Sequence, residues 1–289
     1  MDAPYSVLEA LEPGIARVLA HNPSPYTYTG TQTYLAGTNA VAVIDPGPDV
    51  PEHLTALEKA IDGRKVAAIM CTHTHRDHSP AAAPLARATG APIIGCAPLA
   101  LSDDGPRADS AFDTDYAPDR VLIDGERISG DGWTLEAVAT PGHTSNHLCF
   151  GLVESRALFT GDHVMAWSTS VVSPPDGDMA AYMASLSKLY DRDDRVYYPA
   201  HGPAVAKPRQ LVRGMLGHRK QRERQILREL EKGTAVIPVM VSHMYKGLDP
   251  RLTGAAGRSV LAHLLDLKAR GLVRVRADHE PGQEAWELA

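Results

Sequence analysis

A short apolar run ends in four side chains that commonly bind metals, and this arrangement constrains the fold more than any other feature. The run VAAIMCT, residues 66–72, has the composition of a buried β-strand. His73 and His75 follow it at alternate positions, so in an extended chain their imidazoles project to the same side. Asp77 and His78 come within the next turn. Because zinc takes imidazole nitrogens and carboxylate oxygens as ligands, the sequence predicts a metal site at this strand end.

Three later segments place the same types of ligand at predicted strand ends. They are TPGHT at 140–144, TGD at 160–162 and PAHG at 199–202. Each runs into a turn that contains glycine or is tight. We therefore add His143, Asp162 and His201 to the candidate ligands.

The first two thirds of the chain alternate β-like runs with turns and helical stretches. Predicted strands include TYTGTQTYL, AVAVID, PIIG, WTLEAVAT, HLCFGLV and ALFTGD, and predicted helices cover 53–61 and 179–190. This order of elements indicates an α/β or an α+β fold with mixed sheets.

The last third of the chain has a different pattern. A helical pattern begins at residue 208 and is stopped by Gly233, and a second covers 255–269. The strand LVRVRA, a polar turn at 280–283 and the run AWEL follow. Two helices and a hairpin predict a winged helix. We expect a catalytic domain at 1–204, and a helical linker with a winged-helix domain at 205–289.

Two long segments, 103–119 and 166–178, are rich in turn formers and poor in periodic apolar residues. Loops of this length are uncommon inside a domain unless they serve a site. Each is interpreted either as a rim of the active cleft or as a plain connector.

Charge, apolar stretches and cysteine content indicate where the chain resides and how its cysteines are used. Residues 1–202 carry 13 Lys and Arg against 26 Asp and Glu, whereas residues 203–289 carry 16 against 9. No apolar stretch approaches a membrane span, and the first residues lack the layout of a signal peptide. We expect a cytoplasmic protein with no membrane contact, and we interpret Cys71, Cys96 and Cys149 as core residues.

Taken in order, H-x-H-x-D-H, PGHT, TGD and the final His-Gly resemble the metallo-β-lactamase superfamily. The resemblance implies an α+β fold, an αββα sandwich with two metals at one edge of the paired sheets. Carried over position by position, it implies one zinc held by His73, His75 and His143, a second held by Asp77, His78 and His201, and Asp162 as the bridge.

The resemblance extends over nearly the whole chain. PGHTSNH, HGPAV, the helix HRKQRERQIL and the winged helix look like the lactamase-beta-2-like proteins, whose animal members are single-strand endoribonucleases. Relatives of that branch include polyketide thioesterases. True β-lactamases generally lack the bridging aspartate, so Asp162 argues against a dedicated antibiotic-hydrolysing enzyme.

Two zinc ions can share a hydroxide and polarise an acyl or phosphoryl oxygen, so the predicted reaction is hydrolysis. Asp77 and Asp162 are the predicted catalytic carboxylates as well as ligands. Iron or manganese would suit the same ligand types.

Three further residues near the motifs each have two interpretations. Arg76 is either a contact for an acidic substrate or a solvated charge, and His147 and His163 are either substrate-binding groups or proton donors, or structural histidines.

The substrate prediction rests on the charge distribution. We favour an ester or thioester of a small or carrier-linked acid, because the acidic body repels a polyanion and few aromatics could stack bases. The alternative is single-stranded RNA, bound by basic residues of the winged helix at Arg258, Lys268, Arg270, Arg274 and Arg276. Weak β-lactam hydrolysis, a DNA-binding ligand sensor and a homodimer docked through the basic tail also stay open.

Overall fold

Two β-sheets lie face to face, and helices cover their outer surfaces. A computed structural model describes residues 4–99, 112–233, 235–276 and 284–289. The first sheet has seven strands in sequence order: β1 (Leu8–Glu12), β2 (Ile15–Leu19), β3 (Gln32–Ala36), β4 (Ala40–Ile44), β5 (Lys65–Cys71), β6 (Ile93–Gly95) and β7 (Arg120–Val121). Its first four strands are antiparallel, and β4 to β7 are parallel.

The second sheet has five strands, in the order β12, β11, β10, β9, β8. They are β8 (Arg127–Gly130), β9 (Trp133–Ala139), β10 (Leu148–Leu152), β11 (Ala157–Gly161) and β12 (Val196–Pro199). Only the β11 and β12 pair is parallel. The carboxyl ends of β11 and β12 therefore lie side by side.

Both faces of the second sheet are buried, and the strand residues divide between them. Phe150 of β10 and Phe159 of β11 point into the core shared by the two sheets. Cys149 and Leu158, one position away, point to the opposite face and pack under helices. This alternation follows from the two-residue period of a β-strand. All three cysteines are buried and free, as predicted.

Helices form the outer layers. The first sheet is covered by α1 (Pro51–Ile61) and α2 (Ala82–Thr89), and the second by α3 (Met179–Asp191) and the first half of α4 (Pro208–Glu231). The predicted α+β class and αββα sandwich are thus confirmed. Among the helices of the described residues, none combines the length and the hydropathy of a membrane-spanning segment.

A smaller unit follows α4. It contains α5 (Ile237–Met244), a 3-10 turn (Pro250–Leu252), α6 (Thr253–Ala269), β13 (Val273–Val275) and β14 (Trp286–Leu288). Trp286 lies at the centre of its core, and Ile226 and Leu230 from the end of α4 pack there too. Helix α4 therefore joins the two cores, and the boundary expected after residue 204 stays a prediction.

The structure adds elements that the sequence patterns did not predict. These are the hairpin of β1 and β2, the short strands β7 and β8, and the helices α2 and α5. The strand predicted from Thr27 begins only at Gln32, because the preceding residues form turns held by hydrogen bonds to Ser24 Oγ and to Asn22. Residues 103–111 of one predicted loop and the predicted turn at 280–283 lie outside the described residues.

Candidate metal centre

The end of β5 delivers the first two candidate ligands. His73 and His75 follow the strand in a still extended chain, and His73 Nε2 lies 2.9 Å from His75 Nδ1. Phe112 packs against the His75 ring with the ring centroids 4.6 Å apart. The following turn brings His78 back, because its backbone N–H donates to the His75 carbonyl at 2.9 Å. All three histidines are buried.

The other ligands come from the second sheet. His143 follows β9, Asp162 follows β11 and His201 follows β12. Gly142 makes the first of these turns possible, because its φ is +137° and a Cβ there would lie 2.4 Å from the backbone nitrogen of Tyr182. A side chain at this position would force either the turn before His143 or helix α3 to move.

The seven candidate ligands lie in two groups. Within each group the ligand atoms are within 4.8 Å of one another; one group is His73, His75, His143 and Asp162, and the other is Asp77, His78 and His201. Asp162 faces both: its Oδ2 lies 3.7 Å from His143 Nε2, and its Oδ1 lies 3.2 Å from His201 Nε2. This is the placement that a bridging carboxylate requires.

The acidic and basic side chains of the cluster lie close together and shift one another's pKa values. Burial alone would raise the pKa of Asp162, but His201 and His78 outweigh it and hold that pKa well below its ordinary value. Burial opposes protonation of His201, yet Asp162 and Asp77 raise its pKa to about 10. Burial, followed by its histidine neighbours, lowers the pKa of His73. The carboxylates are therefore ionised near neutral pH.

The residues fit a pair of transition metals. His78 Nε2 lies 3.2 Å from Asp77 Oδ2 and Asp162 Oδ1 lies 3.2 Å from His201 Nε2, yet both atoms are buried and neither makes an aligned hydrogen bond to the described residues. Buried polar atoms that lack a hydrogen bond are costly unless something else binds them. Five imidazoles and two carboxylates around one point are ligands that zinc, iron and manganese accept.

Groups behind the ligands hold the imidazoles in place. His78 Nδ1 donates to Asp45 Oδ2 at 3.0 Å, His143 Nδ1 to the Val171 carbonyl at 2.6 Å and His201 Nδ1 to the Gly30 carbonyl at 3.1 Å. Each bond leaves the Nε2 atom directed at the cluster, as metal-ligating histidines require.

Two orienting side chains escaped the sequence analysis. Asp45 is buried at the end of β4, where it binds Thr72 as well as His78. Thr31 Oγ1 donates to Asp77 Oδ2 at 3.0 Å. An acidic residue closing the apolar run AVAVID was the available signal for Asp45. No comparable pattern marked Thr31, which reaches Asp77 only through the fold.

The three further candidates lie away from the cavity. His147 is buried; its Nε2 accepts the backbone N–H of Asp162 at 3.3 Å, and its Nδ1 lies 2.9 Å from Thr140 Oγ1. His163 is fully buried against Tyr182, and burial lowers its pKa to about 3. Arg76 is exposed and donates to the Phe112 carbonyl at 3.3 Å.

A cavity of about 250 Å³ opens from the cluster. His75, Asp77, His143, Asp162 and His201 line one end. Residues 167–171 line its side, which confirms that the predicted loop at 166–178 borders the site. The far end is formed by α4 and by the C-terminal unit, including Tyr245, Leu248, Leu252 and Ala256.

Basic residues of the C-terminal unit are largely engaged. Arg270 pairs with Glu223 at 2.6 Å and with Asp266 at 3.1 Å. Arg274 pairs with Glu287 at 2.6 Å. Glu223, Asp266 and Glu287 are among the nine acidic residues of 203–289, so this part of the chain keeps its excess of basic residues.

Comparison with known proteins agrees with the geometry. The family profile described as the metallo-beta-lactamase superfamily matches residues 26–201, and that of the beta-lactamase associated winged helix domain matches residues 237–286. A beta-lactamase-like protein 2 homolog of Caenorhabditis elegans is 33% identical over 242 residues, which are 82% of this chain and 77% of that protein. An atrochrysone carboxyl ACP thioesterase of Cryptosporiopsis sp. is 30% identical over 262 residues, 84% of this chain and 75% of the relative.

The fold is also found among solved structures. A beta-lactamase domain protein from Burkholderia ambifaria superposes with a TM-score of 0.80 at 19% identity, covering 100% of this chain and 96% of that one. The match therefore includes the C-terminal unit. The chain belongs to the metallo-beta-lactamase superfamily, in the branch that carries a C-terminal winged helix and includes the beta-lactamase-like protein 2 homolog.

Proposed function

We propose that the chain is a dinuclear zinc hydrolase that acts on an ester or thioester of a small or carrier-linked acid. The observation that carries this proposal is the cavity, which joins the ligand cluster to a largely apolar wall supplied by the C-terminal unit. Such a wall suits the apolar part of an acyl substrate. A relative named as an ACP thioesterase supports the same substrate class.

The metals would be held as the two groups suggest. His73, His75 and His143 would hold one, Asp77, His78 and His201 the other, and Asp162 both. Two zinc ions held there would supply an activated water, of pKa about 7, and would polarise the acyl oxygen of the substrate. The same ligand types also accept iron and manganese, which metal analysis of the protein from cells would detect.

The residues of the chain then position and enclose the reactants. Asp45 and Thr31 fix His78 and Asp77. His147 accepts from the backbone N–H of Asp162 and so fixes the main chain that carries this carboxylate; we assign it a positioning role. The loop containing Trp167 and the C-terminal unit enclose the substrate and limit access of bulk water.

Single-stranded RNA cleavage stays a prediction. The ion pairs of Arg270 and Arg274 weigh against it, because a paired guanidinium gains less from a phosphate than a free one. β-Lactam hydrolysis, DNA-linked ligand sensing and homodimer formation likewise stay predictions.

The test compares turnover of a panel of acyl thioesters and of a short single-stranded RNA by zinc-loaded protein. Thioester hydrolysis should be lost in Asp162→Asn and kept in Asp193→Asn, a matched change at a side chain that is 85% exposed. RNA cleavage that depends on Asp162, without thioester turnover, would contradict this proposal and support the alternative of a single-strand endoribonuclease.

A further inference from the structure

One wall of the cavity carries positive charge that the proposed chemistry does not use. Arg219 and Arg222 lie three residues apart on one side of α4 and line the cavity, Arg219 beside the loop of Ser170 and Arg222 beside Tyr245. Residues three and four apart share a helix face, so these groups act on the same space. The carboxylates that line the cavity, Asp77 and Asp162, both belong to the candidate metal ligands.

Neither arginine is neutralised by a carboxylate of the described residues. Arg219 is 3% exposed, and it donates to Ser259 Oγ at 3.2 Å and to the Ser170 carbonyl. Arg222 Nη1 donates to Gln225 Oε1 and to the Met244 carbonyl, each at 2.9 Å. The Nε atoms of both arginines are buried and make no hydrogen bond to the part of the chain described.

Both arginines lie over a tyrosine ring, Arg219 over Tyr182 at 5.1 Å and Arg222 over Tyr245, but they differ in exposure and in hydrogen-bond partners. Arg219 links α4 to α6 and to the loop of Ser170, whose hydroxyl donates to the Asp162 carbonyl. Arg222 is only half-buried, and its guanidinium lies 4.1 Å from the centroid of the Tyr245 ring. An arginine stacked on an aromatic ring is held in a defined orientation, with its remaining donors free to meet a ligand. Arg222 is thus the group best placed to touch a molecule in the cavity.

We propose that Arg222, supported by the field of Arg219, is a subsite for an anionic group of the substrate. This subsite rests on the proposed hydrolase function. It implies a class of substrate, namely an acyl compound that carries a carboxylate or phosphate away from the scissile bond. Guanidinium groups bind both anions through paired hydrogen bonds. The apolar wall between the two ends, at Met165, Val171, Leu252 and Ala256, fits the uncharged part of such a molecule.

The anionic group can belong either to the acyl group or to the leaving group of the substrate. Two pairs of substrates distinguish these two positions. Glutaryl and pentanoyl thioesters of N-acetylcysteamine differ by a carboxylate on the acyl group. Acetyl thioesters of phosphopantetheine and pantetheine differ by a phosphate on the leaving group. For each pair, kcat/KM is measured with the zinc-loaded wild type, Arg222→Gln, Arg222→Lys and Arg224→Gln.

Arg222→Gln should lower kcat/KM about 10- to 100-fold for the anionic member of one pair, and leave the neutral member unchanged, since charged hydrogen bonds are of that strength. For the anionic substrate, kcat/KM of Arg222→Lys should lie between the values of the wild type and Arg222→Gln. Lysine keeps the positive charge but cannot form the paired hydrogen bonds of a guanidinium group. Arg224, exposed on the same helix, is the matched control and should change neither member. Equal losses on anionic and neutral members, or no loss on either, would overturn the subsite.

Calorimetric binding separates this inference from the hydrolase proposal. Glutarate against pentanoate, and phosphopantetheine against pantetheine, are titrated into zinc-loaded wild type and Arg222→Gln. An anion preference in the wild type that Arg222→Gln abolishes supports the subsite even if no thioester is hydrolysed. The absence of any anion preference would overturn it even if neutral thioesters are hydrolysed.

Discussion

Asp45→Asn should weaken one of the two proposed metal sites without unfolding the protein. Asp45 is 2% exposed, and its carboxylate accepts from Thr72 N at 2.7 Å, Thr72 Oγ1 at 2.8 Å and His78 Nδ1 at 3.0 Å. Asparagine keeps one oxygen, which can serve the Thr72 peptide. Its amide nitrogen must then face both the Thr72 hydroxyl and the His78 N–H.

The magnitude follows from that mismatch. The Thr72 hydroxyl can rotate and accept a hydrogen bond, but His78 Nδ1–H is left facing another donor. A buried donor without an acceptor costs about 1–3 kcal/mol. Removing the carboxylate behind a ligating histidine lowers metal affinity about 10- to 100-fold. The two figures agree, since a tenfold change in affinity corresponds to about 1.4 kcal/mol.

The assay is competition for zinc between the protein and a chelating indicator. One of the two zinc sites should weaken about 10- to 100-fold, and the site of His73, His75 and His143 should change far less. Asp49→Asn, an exposed position four residues along, is the matched control. Wild-type affinity at both sites in a folded Asp45→Asn protein would refute the assigned role of this carboxylate.

Three other perturbations have defined outcomes. Gly142→Ala should lower the free energy of unfolding in urea by about 2–5 kcal/mol, because φ is +137° and the new Cβ would meet the backbone of Tyr182. Gly214 has open space around it in α4, so the control Gly214→Ala should not lower the free energy of unfolding. Burial, assisted by Arg219, lowers the pKa of His263 to about 3. Below about pH 6.5 the unfolded chain takes up a proton at this histidine and the folded protein does not, so the free energy of unfolding should fall. His263→Phe should reduce the fall between pH 6.5 and pH 4.5 by about 2–3 kcal/mol. Chelation should lower the thermal midpoint, and zinc should restore it; an unchanged midpoint would contradict metal binding by the native state.

Several parts of the fold could be predicted from the sequence because their residues carry local signals. The ligand motifs follow apolar runs, and the strands and turns there have the expected order. Helix α6 has a periodic apolar face and ends next to Gly271, so its bounds were nearly those observed. Edge elements such as β1 and β8 are only partly buried and lack a clear apolar pattern. Helix α5 is short and apolar on most sides, so periodicity did not reveal it.

The candidate site was predictable only where ligand types stand together in the chain. The grouping of His143, Asp162 and His201 with the β5 end was implied by the family resemblance, and the structure brings them together. Thr31 and the cavity wall at Arg222 are positioned by tertiary packing, which no single stretch of sequence encodes. Charge counts carry no information on pairing, and the contact of Arg270 with Glu223 follows from tertiary packing.

The central claim is that two metals at this cluster drive acyl hydrolysis. The most direct measurement is thioester turnover during stepwise return of zinc to metal-free protein, with bound metal determined by elemental analysis at each step. Turnover that is absent without metal and reaches its maximum at two equivalents per chain would agree with the account. Full turnover without metal, or two bound equivalents with no hydrolysis of any thioester, would contradict it.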